Sequence, residues 1–275
     1  MTKEEVITSI RSIRENMKYV DWKHKFSAGI SLLGGEIYFY TDPDIQEEFM
    51  LLIEDVINKV LLVSTDPNVK YSTVTNGLYD PAFLFRVIDR IVERVGLDFV
   101  DVNFSYDLKY RYASEDRRLL ALSNIQKFIK RYNYCVGVQM ILTQYVIDMV
   151  NSGAFDIQKF LDNDIKGGML CFLYPHAIHT GKQLDDFQFK RNDFIQFMLY
   201  LRDHFPSVFT AFVCSSRNSA VFKYTGYRDK HLDITQQPVL SDGKEIINKK
   251  CGHSQLYSCY ADSDKCFLCD LEALL

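Results

Sequence analysis

The stretch YSTVTNGLYDPAFLFRVIDRIVERVGLDFVDVNFSYD, residues 71–107, contains the repeating unit from which the fold is predicted. YSTVTNG at 71–77 predicts a strand closed by a turn. Residues 80–95 carry apolar side chains at helical spacing, and residues 98–107 predict a second strand with partial alternation. A helix that connects two strands in this way is typical of a parallel sheet.

The same alternation extends over most of the chain. Further helices are predicted at 3–17, 43–63, 114–132, 143–152, 155–162 and 190–204, and further strands at 26–33, 134–142, 167–175 and 209–215. Thr2 and Glu5 predict a capping box for the first helix, and Pro43 suits a first helical turn. About six strands, mostly apolar on both faces, predict a parallel α/β sheet. A complete or partial β/α barrel of the strand–helix type is the leading architecture, and an open doubly wound sheet is the alternative.

Composition limits the class of protein. The 275 residues suffice for one large domain with a small appendage, and we expect a barrel domain at 1–215 and a cysteine-rich appendage at 216–275. A formal net charge of −4 does not indicate generic nucleic-acid binding, which is typical of basic proteins. The polar N-terminal region does not resemble a signal peptide, and no stretch approaches the roughly 20 apolar residues of a membrane helix. We therefore expect a cytoplasmic protein without a membrane partner.

The last 25 residues contain four of the seven cysteines, including one Cys-x-x-Cys pair. In a reducing compartment such a cluster favours metal binding over disulfides, although free or disulfide-linked cysteines are the alternative. The candidate metal ligands are Cys251, Cys259, Cys266 and Cys269. Zinc and a [4Fe–4S] cluster both accept four thiolates, so the spacing does not separate them. The other three cysteines, Cys135, Cys171 and Cys214, fall in apolar runs and are predicted to be buried.

Short polar motifs follow three of the predicted strands: GGE at 34–36, TNG at 75–77 and SYD at 105–107. Because the carboxyl ends of parallel strands meet at one edge of a sheet, we expect these motifs to lie close together. The two glycines allow a ligand to approach the backbone, and the carboxylate of Glu36 suits an ammonium group. The hydroxyl and carboxylate of the third motif suit ribose hydroxyls. Ordinary turns are the alternative for the first two motifs, and an N-capping role is the alternative for Asp107.

The order and spacing of these motifs resemble the radical S-adenosylmethionine superfamily. In that family a Gly-Gly-Glu motif holds the methionyl amino group, a Thr-Asn-Gly often closes the next strand, and polar residues at the end of the following strand contact the ribose. The resemblance implies S-adenosylmethionine as cofactor, and the matching positions are Gly34, Gly35, Glu36, Thr75, Asn76, Gly77, Ser105 and Asp107. Ile37 stands where the family usually has proline.

The C-terminal region extends the resemblance. VLSDGKEIINKKC at 239–251 is similar to the start of the cysteine-rich extensions called SPASM or twitch, whose cysteines bind auxiliary [4Fe–4S] clusters. The resemblance thus implies an iron–sulfur cluster at the tail cysteines, whereas a structural zinc is the alternative that the spacing leaves open.

One departure from the family concerns its catalytic cluster. That cluster is held by Cys-x-x-x-Cys-x-x-Cys, and this spacing does not occur in the 275 residues. Three explanations are open: the chain is a pseudoenzyme, a shortened form of an active enzyme, or a chain that takes the missing strand and cluster from a partner. The capping residue Thr2 gives the first helix a good start, which favours a naturally short protein. If it is active, the resemblance implies radical chemistry on a peptide, protein or nucleic-acid substrate. The alternative is a non-catalytic scaffold or binding protein with zinc in its tail.

Overall fold

The computed structural model describes residues 2–19, 30–32, 36–64, 69–109, 111–173 and 190–218. The strands of this part are β1 (Ile30–Leu32), β2 (Tyr71–Thr75), β3 (Val100–Tyr106), β4 (Gly137–Ile141) and β5 (Met169–Leu173). The α-helices are α1 (Lys3–Asn16), α2 (Pro43–Val56), α3 (Ala82–Val95), α4 (Glu115–Tyr132), α5 (Gln144–Asn151), α6 (Ile157–Lys159), α7 (Arg191–His204) and α8 (Pro206–Asn218).

The strands are arranged in a sheet in the order of the chain, β1-β2-β3-β4-β5. β1 and β2 are parallel, with Ile30 opposite Tyr71. β2 and β3 are also parallel, with Tyr71 opposite Val100, and α3 connects them. The prediction of a parallel α/β sheet is therefore confirmed for these strands.

The predicted helix starts are confirmed by their capping contacts. Thr2 Oγ1 accepts a hydrogen bond from Glu5 N at 3.3 Å, and Glu5 Oε2 accepts one from Thr2 N at 2.7 Å, which together form the capping box of α1. Pro43 is the first residue of α2. Helix α4 begins behind Ser114, whose hydroxyl accepts a hydrogen bond from the Arg117 N–H. Each cap satisfies backbone donors that have no partner within the helix.

The two faces of β3 differ in polarity. Buried and half-buried positions alternate along this strand: Val100, Val102, Phe104 and Tyr106 are buried, and Asp101, Asn103 and Ser105 are half-buried. On the buried face, the Phe104 ring packs edge-on against Phe128 of α4, with centroids 5.7 Å apart. The alternation predicted for this strand is therefore confirmed, with polar residues at every second position of VDVNFSY.

The strand predicted at 209–215 is wrong, because this segment is part of helix α8. Pro206 starts the helix at a position where its missing N–H removes no helical hydrogen bond. Val208, Phe209 and Phe212 are buried, and their spacing places them on one helical face. Their preference for strands is a weak tendency that packing overrides.

The chain divides into two compact units, and the boundary lies within β4. The first comprises Met1–Val138 with Asp164–Gly168, and the second comprises Gln139–Asn163 with the chain from Met169 onward. Most of the predicted appendage at 216–275 lies outside the described residues. No helix in the described part of the chain has the length and apolar character needed to cross a bilayer. The cytoplasmic location stays a prediction.

A substitution at Gly137 tests the packing of the polar face in the first unit. A Cβ atom at this position would lie 2.0 Å from Asn103 Oδ1, and the Asn103 amide is held by a 3.1 Å hydrogen bond from its Nδ2 to Asp101 Oδ1. We predict that Gly137→Ala lowers the free energy of unfolding in urea by about 1–3 kcal/mol, the usual range for overpacking. Adding Asn103→Ala removes the clash and recovers most of the loss. A single variant as stable as the wild type would contradict this packing.

Candidate functional site

The carboxylate of Glu36 connects the segment after β1 to the end of β2. Glu36 Oε2 accepts hydrogen bonds from the Thr75 hydroxyl at 2.9 Å and from the Asn76 backbone N–H at 2.7 Å. These two contacts bring the Glu36 and TNG motifs together at the carboxyl edge of the sheet, as the sequence predicts. One oxygen of the carboxylate is therefore fixed in position by the protein itself.

The second oxygen of Glu36 is in a different situation. Oε1 is buried and has no hydrogen-bond partner among the residues that the structure describes. Burial raises the pKa of Glu36 above its ordinary value. This effect outweighs the backbone N–H groups of Asn76 and Tyr38, the Thr75 hydroxyl and the positive charge of Arg111, all of which lower the pKa. A buried carboxylate oxygen without a donor is unusual in a folded protein, and it is suited to a cationic donor on a ligand.

The TNG turn that holds Glu36 is itself rigidly supported. Gly77 has φ +69°, a left-handed conformation that glycine adopts without strain. Asn76 Oδ1 accepts a hydrogen bond from Leu78 N at 2.9 Å. The side chain of Asn124, buried in α4, donates from Nδ2 to the carbonyl oxygens of Gly77 at 2.8 Å and Tyr79 at 2.7 Å. The Asn76 side chain thus stabilises the turn, and its backbone N–H orients Glu36.

A group of buried hydroxyls, which the motif analysis missed, surrounds this turn. Thr75 Oγ1 is also hydrogen-bonded to the Tyr79 hydroxyl. The Tyr38 hydroxyl lies 2.7 Å from the Tyr71 hydroxyl and donates to Thr73 Oγ1 at 3.2 Å. Burial raises the pKa of Tyr38 to about 12, so this hydroxyl is neutral at physiological pH. The alternation of Tyr71, Thr73 and Thr75 along β2 was the sequence signal for one polar strand face.

The residues predicted to contact ribose lie on the neighbouring strand. Thr75 of β2 pairs with Phe104 of β3, directly before Ser105. Ser105 is half-buried on the polar face. Asp107 is 6% exposed, and its Oδ1 accepts hydrogen bonds from Lys109 N at 2.7 Å and Arg111 N at 3.3 Å. These bonds stabilise the loop after β3, which is the capping role weighed as the alternative, and the ribose contact stays a prediction.

Several predicted site residues lie outside the described residues: Gly34, Gly35, Cys251, Cys259, Cys266 and Cys269. Within the described residues, no group of three or more His, Cys, Asp or Glu side chains is arranged to hold a metal ion. Cys135 is exposed, so its predicted burial is wrong. It lies in the turn between α4 and β4, because β4 begins at Gly137 rather than at residue 134.

Comparisons with known proteins do not place the chain in a group. No model of a protein family matches it. No curated protein matches it in sequence, and no solved structure matches its fold.

Replacing Glu36 by glutamine tests whether its carboxylate is held at a cost to stability. The folded pKa of Glu36 is raised, so the native state binds a proton more readily than the unfolded chain, and stability falls as the pH rises through the folded pKa. Glu36→Gln removes this loss and keeps an oxygen that accepts from Thr75 and Asn76. We predict a gain of about 1 kcal/mol in the free energy of unfolding at pH 7.

The gain in stability should disappear at a pH below the pKa of Glu36 in both the folded and the unfolded state, because the Glu36 carboxyl group of the wild type is then protonated and neutral in both. Glu4→Gln, a change in an exposed glutamate of α1, is the matched control and should leave the stability within about 0.5 kcal/mol of the wild type. Urea unfolding across a pH series measures the free energy of unfolding of the wild type, Glu36→Gln and Glu4→Gln. A Glu36→Gln variant that is less stable at pH 7 would mean that Oε1 has a partner in the folded protein.

Proposed function

We propose that this chain is a radical-SAM-like protein that binds S-adenosylmethionine at the carboxyl edge of a partial β/α barrel. The observation that carries the proposal is the asymmetry of Glu36: Oε2 is fixed by Thr75 and Asn76, whereas Oε1 is buried without a partner. The amino group of a methionyl ligand supplies both the missing hydrogen-bond donor and a compensating positive charge.

Two features of the sheet support a barrel-type architecture over a doubly wound one. The order of a doubly wound sheet reverses at a switch point, whereas the described strands follow each other in sequence order. A doubly wound sheet also buries both faces under helices. Here the polar face of β3 stays half-buried, with Ser105 on that face beside the end of β2.

The residues of this chain account for ligand binding and not for cleavage of the ligand. In the family that it resembles, S-adenosylmethionine supplies a radical once a reduced [4Fe–4S] cluster cleaves it, and three thiolates hold that cluster. The 275 residues contain no Cys-x-x-x-Cys-x-x-Cys to hold it. Glu36 would hold the amino group, and Ser105 would contact the ribose. We propose that the chain in this form binds the cofactor and does not cleave it reductively.

A non-catalytic scaffold is the second candidate function. It is favoured by Asp107, whose carboxylate is engaged by two N–H groups of its own loop, as expected of a residue with a structural role. In this case the barrel edge recognises a protein, peptide or nucleic-acid partner, and the cysteine tail carries a structural zinc. The measurements below separate the two functions.

Calorimetric titration with S-adenosylmethionine tests the proposed function. We predict that Glu36→Gln weakens binding by about tenfold or more, because it removes a hydrogen bond between two charged groups. Binding of S-methyl-5′-thioadenosine, which lacks the amino-acid part, should not change in this variant, because that ligand does not reach Glu36. Glu4→Gln serves as the control. Absence of S-adenosylmethionine binding to the folded wild type would refute the proposal and leave the scaffold.

The tail cysteines are proposed to bind zinc or an iron–sulfur cluster, on the basis of their spacing in the sequence. We predict one metal site per chain, which is lost on combining Cys266→Ser with Cys269→Ser and retained in Cys135→Ser, a change at an exposed cysteine outside the tail. Elemental analysis of anaerobically purified protein measures the content, and visible absorption distinguishes a cluster from colourless zinc. Wild-type protein with neither iron nor zinc would contradict the prediction.

A further inference from the structure

A cavity of about 230 Å³ lies in the first unit, beside the turn that holds Glu36. Its buried walls are three aromatic side chains, Tyr38, Tyr79 and Phe83. The exposed residues that line it include Phe39, Asp80 and Arg86. Phe39 is 64% exposed, which is unusual for a phenylalanine that lines a cavity.

The aromatic walls are held in fixed positions by one another. The Tyr38 ring lies 5.8 Å from Tyr79 and 6.1 Å from Phe83, measured between ring centroids. Phe49 packs edge-on against Tyr38 at 6.3 Å and against Phe83 at 5.8 Å. An apolar cavity of about 150 Å³ is enough to admit a benzene ring. The cavity therefore has room for one aromatic ring with a short substituent.

Two opposite charges line the same cavity, and neither has an ion pair within the described part of the chain. Within the described residues Arg86 makes no ion pair or hydrogen bond, and its Cζ lies 5.1 Å from the centroid of the Phe83 ring. Asp80 uses Oδ1 to accept a hydrogen bond from Ala82 N at 3.0 Å and has no ion pair within the described part of the chain. A guanidinium suits a carboxylate, and a carboxylate suits an ammonium group.

We propose that this cavity binds a free aromatic amino acid. The ring would lie against the cavity-facing surfaces of Tyr38, Tyr79 and Phe83, the carboxylate of the ligand would bind Arg86, and its ammonium group would bind Asp80. This site is separate from the proposed S-adenosylmethionine site, since Glu36 does not line the cavity. The proposal therefore stands whether or not the chain binds S-adenosylmethionine.

Three probes test the required groups on the ligand. L-phenylalanine carries both charges, N-acetyl-L-phenylalanine lacks the ammonium group, and L-phenylalaninamide lacks the carboxylate. Calorimetric titration of the full chain with each probe is expected to show that L-phenylalanine binds about tenfold or more tightly than either blocked form. Tighter binding of a blocked form would overturn the proposal and assign the cavity to the end of a peptide. Equal affinity for all three probes, or no binding of L-phenylalanine to the folded protein, would also overturn it.

Two charge variants assign the contacts. Arg86→Gln should lower the affinity for L-phenylalanine about tenfold and leave that for L-phenylalaninamide unchanged. Asp80→Asn keeps an oxygen for Ala82 N, and it should lower the affinity for L-phenylalanine and leave that for the N-acetyl form unchanged.

Arg117→Gln, a change in an exposed arginine of α4 outside the cavity, is the charge control and should match the wild type for all probes. Equal losses in Arg86→Gln, Asp80→Asn and Arg117→Gln would indicate a general effect of charge and overturn the assignment.

Discussion

The hydrogen bonds from Thr75 and Asn76 to one oxygen of Glu36 are the constraint on which the candidate site depends. They connect the segment after β1 to the end of β2 and fix the direction of the carboxylate. Thr75 is also bonded to Tyr79, so the same contact reaches the aromatic cavity. Asn124 holds the turn from α4, which connects the helix layer to the site.

The buried carboxylate of Glu36 destabilises the folded protein, and this favours the binding of a cationic ligand. Burial of a carboxylate in this position raises its pKa, and the unpaired oxygen carries a desolvation penalty of about 1–3 kcal/mol or more. The neighbouring tyrosine hydroxyls are neutral, and the positive charge of Arg111 lowers the pKa of Glu36 by less than burial raises it. A cationic ligand would regain this free energy on binding, since it replaces the lost hydration of the oxygen. A site that is unfavourable without its ligand is a common arrangement in binding proteins.

Much of the first unit was predictable because its signals are local. The capping box at Thr2, the proline at the start of α2 and the alternation of β2, α3 and β3 depend on residues close in sequence. Helix α8 was missed because its aromatic and β-branched residues suit a strand, and only packing against other residues decides between the two. The proximity of Glu36 to the TNG motif followed from motif order, because both motifs come after strands of one parallel sheet.

The way each motif residue acts did not follow from the sequence. A motif does not specify whether Asn76 contributes its side chain or its backbone, and the structure assigns the backbone N–H to Glu36. Asp107 was equally suited to a ligand or to its own loop, and its contacts with Lys109 and Arg111 depend on the path of the chain after β3. The aromatic cavity combines residues from two stretches that are distant in sequence, 38–46 and 79–86, and no local pattern marks it.

The most direct measurement of the central claim is an NMR titration of the Glu36 carboxyl group, with and without saturating S-adenosylmethionine. The account predicts a pKa above the ordinary value of glutamate in the free protein, because the carboxylate is buried with one oxygen unpaired. It predicts that the pKa falls when the ligand is added, because an ammonium group favours the charged form. A pKa that does not change on adding the ligand, or that is already low in the free protein, would contradict it.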